Sequence, residues 1–194
     1  MSQTQHLSDA ALISMYQAGS NSAIETLVSR YKDKMYTAIY ILVKDQYLAE
    51  DIFQESFLKI IRTIKSGRYA EQGKFLPWAL RVAHNLCMDH FRRVRTQIPV
   101  TTEDGREIID LLPMAHSNGG ERLEERQTHQ SVRELVESLP EEQREVVTLR
   151  IYGELSFKEI ADLTNVSINT ALGRMRYGLI NLRKKITEQK LVLR

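Results

Sequence analysis

Apolar residues in this chain recur mostly every three or four positions and seldom alternate, the period of helices packed by one face. The pattern predicts an all-α protein. Ser8 and Asp9 open a first helix, Asn21 and Ser22 a second that runs past Tyr31, and Tyr47 to Ile64 form a third. Gly67 and Gly73 mark a loop, and Phe75 to Arg95 then read as a fourth helix with Pro77 in its first turn, where the missing N–H costs little. From Thr96 to Asn118 the period fails, and Pro99, Gly105, Pro113 and the Gly119-Gly120 pair punctuate an irregular stretch. Pro140 starts a further helix whose first turn carries Glu141 and Glu142, favourable to the dipole. The expected organisation is two small helical domains, at 8–95 and 121–190, joined by a flexible acidic linker over 96–120.

Within the third helix, Ala49, Phe53, Phe57, Ile60, Ile61 and Ile64 fall on one stripe and are expected in the core. Asp51, Gln54, Glu55, Leu58 and Arg62 take the opposite face, a makeup that suits docking on another protein's helices and equally suits plain solvation. The fourth helix separates Leu76, Ala79, Leu80, Ala83, Leu86, Cys87 and Phe91 from Trp78, Arg81, Asn85, Asp89 and Arg92. The second set is unusual for a solvent face, and Arg93 and Arg95 extend its charge. The preceding loop adds Arg68, Tyr69 and Phe75. Cations interleaved with exposed rings suit single-stranded nucleic acid, because bases stack on the rings while the backbone follows the charge. A partly buried Trp78 capped by Arg81 is the plainer alternative.

From Ser156 to Tyr177 the sequence SFKEIADLTNVSINTALGRMRY reads as a helix-turn-helix. Ser156 and Glu159 form a capping-box pair, Ile160, Ala161 and Leu163 give an apolar face, and Ser167 caps a second helix from Ile168. Thr170, Gly173, Arg174 and Tyr177 share a face of that helix, with Arg176 beside it, which a DNA major groove can receive. A helical hairpin in a bundle carries the same pattern.

Charge sharpens the reading. The net charge of +2 over 194 residues resolves into +1 for 1–74, +3 for 75–95, −7 for 96–145 and +5 for 146–194. A polyanion held by both basic segments would be repelled by the acidic middle, and a solvated acidic linker between two ordinary domains is the plainer alternative. No stretch approaches a membrane span, the longest apolar run being Ala38 to Val43, and no basic-then-apolar leader is visible. A lone Cys87 permits no internal disulfide, which suits a reducing cytoplasm. His84, Asp89 and His90 do not converge on one face, so no metal is expected, and no cofactor or catalytic constellation is visible.

Taken together, the segments AEDIFQESFLKIIR (Ala49 to Arg62), FLPWALRVAHNLCMDHFRR (Phe75 to Arg93) and Ser138 to Ile186 resemble, in order, bacterial RNA polymerase sigma factors of the extracytoplasmic-function (ECF) group. The resemblance implies that Asp51, Gln54, Glu55 and Leu58 dock on the clamp helices of the polymerase β′ subunit. It places Arg68, Tyr69, Trp78, Arg81, Asn85, Arg92 and Arg93 near the melted −10 strand, and Thr170, Gly173, Arg174, Arg176 and Tyr177 on the −35 duplex. The linker is expected to thread through the core enzyme, and the β subunit, promoter DNA and an anti-sigma factor are the further partners implied. Leu172 and Tyr177 stand where many relatives carry basic residues, and the loop SGRYAEQGK differs from the commoner form, so the promoter sequence does not transfer. A conventional helix-turn-helix regulator with an N-terminal sensing or dimerisation domain is the main alternative.

Overall fold

A computed structural model describes residues 6–70, 73–97 and 131–188, all of whose regular elements are helices. The N-terminal unit comprises α1 (Asp9–Gln17), α2 (Asn21–Val43), α3 (Gln46–Lys65) and α4 (Phe75–Gln97). The C-terminal unit comprises α5 (131–137), α6 (Glu141–Ile151), α7 (Phe157–Thr164) and α8 (Ile168–Glu188). The expected linker over 96–120 lies almost wholly outside the described residues, although α4 continues two residues past the expected end at Arg95.

Local chemistry accounts for the helix starts. Ser8 Oγ accepts from the Ala11 N–H at 3.3 Å and Asp45 Oδ1 from the Leu48 N–H at 2.8 Å, each satisfying an orphan donor of the first turn. Between α2 and α3 the chain reverses at Lys44, which adopts left-handed geometry with φ 56° and donates its N–H to the Tyr40 carbonyl. Asp9 ties α1 to α2, pairing with Arg30 and accepting from the Tyr31 hydroxyl at 2.6 Å.

The stripes expected from sequence are largely the stripes buried. In α3, Ala49, Phe57, Ile60 and Ile64 are buried while Asp51, Gln54, Glu55 and Leu58 are exposed. Phe53 and Ile61 are only half-buried, and Ile52 and Ser56 are buried in addition, Ser56 donating its hydroxyl to the Ile52 carbonyl at 2.6 Å. In α4 the expected core set is buried, apart from a half-buried Phe91.

The two units are not separate bodies: Val146, Leu149, Leu155, Ile160, Ala161 and Ala171 of the C-terminal unit belong to the same apolar cluster as the core of α1–α4. The cause lies in α2. Its last turns, Ala38 to Val43, are apolar on every side, so one packed neighbour cannot cover them. Ile39 and Leu42 face the N-terminal core, whereas Ile41, fully buried, packs with Val136, Leu139 and Val147.

Candidate nucleic-acid interface

Three surfaces carry the functional argument. The first is the solvent face of α3. A 20-residue helix with its apolar stripe turned inward leaves Asp51, Gln54, Glu55 and a 53 % exposed Leu58 together, with Tyr47 81 % exposed one turn earlier. Tyr47 is a surface aromatic that belongs to neither of the two faces assigned from sequence.

The second surface joins the α3–α4 loop to the start of α4. Arg68, Tyr69, Lys74, Trp78, Arg81 and Glu159 line a pocket of about 240 Å³. Trp78 is half-buried, with its ring centroid 4.3 Å from that of Tyr69 and 5.9 Å from that of Phe75. The expectation that Tyr69 and Phe75 are exposed rings is corrected here: they are 8 % and 2 % exposed. Both pack on the N-terminal core, Phe75 also against Tyr31 at 5.4 Å, because a turn this close to the core has no other way to shed aromatic surface. Tyr69 therefore forms the wall behind Trp78. Asn85, Arg92 and Arg93 are exposed further along α4, as expected, with Arg92 3.4 Å from Asp89.

Two partners at this pocket were not read from sequence. Lys74 and Arg81 both reach Glu159 of α7, at 3.4 and 3.1 Å. Burial would raise the Glu159 carboxyl, but hydrogen bonds from the Ser156 backbone and hydroxyl, together with Lys74, outweigh it and hold the group down at about 2. The Arg81 Nε is buried with no hydrogen-bond partner among the described residues. His84, which the sequence offered only as a rejected metal ligand, is 2 % exposed and shares a 2.8 Å hydrogen bond with Glu145 of α6.

The third surface is the helix-turn-helix. The capping box is complete: Glu159 N–H donates to Ser156 Oγ at 3.3 Å and Ser156 N–H to Glu159 Oε2 at 2.8 Å. Asn165 makes the turn in left-handed geometry at φ 55°, and Ser167 Oγ caps α8 by accepting from the Thr170 N–H at 3.0 Å. Ala171 and Gly178 face inward on α8. A Cβ at Gly178 would sit 3.0 Å from Val147 Cγ2, so the missing side chain lets α8 approach α6. Thr170, Arg176 and Tyr177 are exposed; Gly173 has open space beside it. Arg174 lies nearer the inward stripe than expected, its side chain 20 % exposed and 3.0 Å from Glu142 of α6. Ile168 and Leu172 add exposed apolar surface at the same end.

No metal-holding cluster of three or more ligating side chains occurs among the described residues, and no described helix is long and apolar enough to cross a membrane.

Comparison with known proteins places both units. The "Sigma-70 region 2" family matches residues 27–97, and "Sigma-70, region 4" matches 129–172, just short of Gly173 to Tyr177. The chain is 27 % identical over 180 residues to the ECF RNA polymerase sigma factor SigW of Bacillus subtilis, covering 91 % of this chain and 95 % of that protein. It is 34 % identical over 151 residues to the ECF sigma factor BldN of Streptomyces coelicolor, covering 77 % of this chain and 55 % of that longer protein. The fold is similar, at a TM-score of 0.59 and 16 % identity, to the sigma factor RpoE of Bartonella quintana solved with the anti-sigma factor NepR, covering 84 % of this chain and 96 % of that one. With a region 2 unit, a region 4 unit and full-length likeness to ECF factors, the chain belongs to the ECF group of the sigma-70 family and serves, without catalysing a reaction itself, to direct RNA polymerase to promoters.

Proposed function

We propose a division of labour among the three surfaces. The exposed face of α3, with Asp51, Gln54, Glu55 and Leu58, docks on the β′ clamp helices: an apolar centre ringed by carboxylates and an amide gives both desolvation and charge selection. Arg68, Trp78, Arg81, Asn85, Arg92 and Arg93 hold the melted −10 strand, with Tyr69 supporting Trp78 from behind. Thr170, Gly173, Arg174, Arg176 and Tyr177 meet the −35 duplex. The protein acts where the polymerase is, in the cytoplasm, and an anti-sigma factor is its regulator, as the complex of the Bartonella relative illustrates for that protein.

The observation that supports the −10 assignment is the N-terminal side of the pocket, where the half-buried Trp78 indole stands beside Arg68, Lys74 and Arg81, a ring on which one unstacked base can stack and cations for its backbone. Run-off transcription with purified core polymerase and a promoter library tests the function. Trp78→Ala and Asn85→Ala are expected to impair strand opening, read by permanganate reactivity of unpaired thymines, and a promoter pre-melted across the −10 region is expected to restore part of the activity. Normal opening by both variants on fully duplex promoters returns Trp78 to a packing role.

A further inference from the structure

Among the described aromatic side chains only Tyr47 and Tyr177 stand in solvent, at 81 % and 62 % exposure; every other ring is buried or half-buried. Tyr177 is accounted for by the proposed −35 contact. Tyr47 has no part in the core and none in the surfaces assigned so far. It is nevertheless firmly held. In the first turn of α3, Asp45 Oδ1 accepts from the Leu48 N–H at 2.8 Å, Gln46 Nε2 donates to Glu50 Oε1 at 3.1 Å, and Ala49 is fully buried. The ring projects from an ordered turn, so fixing it on a partner restricts two side-chain torsions and no backbone.

Spacing puts Tyr47 in line with the docking residues. Tyr47, Asp51, Gln54 and Leu58 succeed one another at intervals of four, three and four residues, and all four are exposed. Leu58 therefore lies three turns on from Tyr47, about 17 Å along the axis and about 20° round it. Side chains at alternating intervals of three and four form the seam by which one helix packs along another. Charge beside the seam is graded: Glu50, Asp51 and Glu55 are exposed on the first half of α3, and Lys59, Arg62 and Lys65 on the second. That order also complements the helix dipole and by itself marks no partner. The dipole gives no reason for an exposed tyrosine and leucine at the two ends of one seam.

We infer that Tyr47 is a second apolar anchor of the polymerase-docking face. The occupant is one amphipathic helix of core polymerase lying along α3, cationic opposite Glu50, Asp51 and Glu55 and acidic opposite Lys59, Arg62 and Lys65. The inference rests on the docking role proposed above for Asp51, Gln54, Glu55 and Leu58. Opposed charge gradients set the direction of the partner helix. Two anchors about 17 Å apart set its register, because each must find its own apolar recess. A tyrosine suits the end of such a seam, where the ring is covered and the hydroxyl still reaches water at the rim.

Variants of the full chain test this against purified core polymerase. Tyr47→Ala removes the ring, Tyr47→Phe removes only the hydroxyl, and Leu58→Ala reports on the face itself. Anisotropy of chain labelled at its N-terminus gives affinity, and melting followed by circular dichroism checks the fold. Tyr47→Ala is expected to weaken core binding at least about ten-fold, as truncation of an interface hot spot does, and Tyr47→Phe less than about three-fold, with melting unchanged in both. Replacing Tyr47 with photoreactive p-benzoylphenylalanine, which keeps a ring at this position, is expected to give an ultraviolet crosslink to β′ that excess unsubstituted chain suppresses. If Leu58→Ala weakens binding while Tyr47→Ala does not and no β′ crosslink forms, Tyr47 is no anchor and the docking role of the face stands. If neither Leu58→Ala nor Tyr47→Ala weakens binding, the docking reading falls and the inference with it. A loss from Tyr47→Ala with Leu58→Ala silent overturns the shared seam.

Discussion

At the scale of single residues, the most informative side chains are those with one role legible in sequence and another that is not. Ser156 is simple: its cap geometry is local, and Ser156→Ala is expected to cost about 1 kcal/mol in urea unfolding, the usual loss for an N-cap. Glu159 is compound. Its carboxyl is held at about 2 in the folded chain against an ordinary 4.5, so it favours the folded form at neutral pH. The sign follows directly: stability is full above about 4.5 and is lost as pH falls toward about 2, where the folded chain too becomes protonated. An acid titration followed by thermal melting is expected to show this loss in the unsubstituted chain and a smaller one in Glu159→Gln. Cys87 is fully buried and burial pushes its thiol up to about 12, so a thiol-selective reagent is expected to label the native chain only as fast as it opens.

At the scale of elements, amphipathicity sorts most of α3 and α4 because a helix wheel depends only on spacing, and it misses at the stripe edges, where Phe53, Ile61 and Phe91 are half-buried. The α3 face is the direct case for mutation. Leu58→Ala with Asp51→Ala is expected to weaken binding to core polymerase without lowering the melting temperature by more than a degree or so, since both side chains stand clear of the core. Unaltered core binding by a folded double variant would move the docking surface elsewhere. Helix α8 is less simple, because spacing alone gave Arg174 the same face as Thr170 and Tyr177. The close approach of α8 to α6 at Gly178 brings Glu142 within 3.0 Å of Arg174. If Arg174 swings to a base edge on binding, Arg174→Ala is expected to cost about 1–3 kcal/mol of promoter affinity in the holoenzyme. The loss should be absent on templates without a −35 element, and Glu142→Gln should slightly favour binding by releasing the side chain.

At the scale of the whole molecule, the sequence by itself determined most of the helices, the caps at Ser8, Ser156 and Ser167, most of the faces they bury and the order of the three matched segments. Each of these follows from interactions within about four residues or from a repeat along one element, so the chain carries them wherever its helices pack. Tertiary structure decided the rest. It buried Tyr69, in a loop, and Phe75, at the first position of α4, where no period reveals an inside, and it paired His84 with Glu145 across 61 positions of sequence. The run Ala38 to Val43 signalled in sequence only that it was too short for a membrane. That it is apolar on all sides because two units cover it is a fact about neighbours, as is the meeting of Glu159 with Lys74 and Arg81. Contacts of that separation depend on which surfaces the folded units bring together, and no periodicity along the chain encodes them.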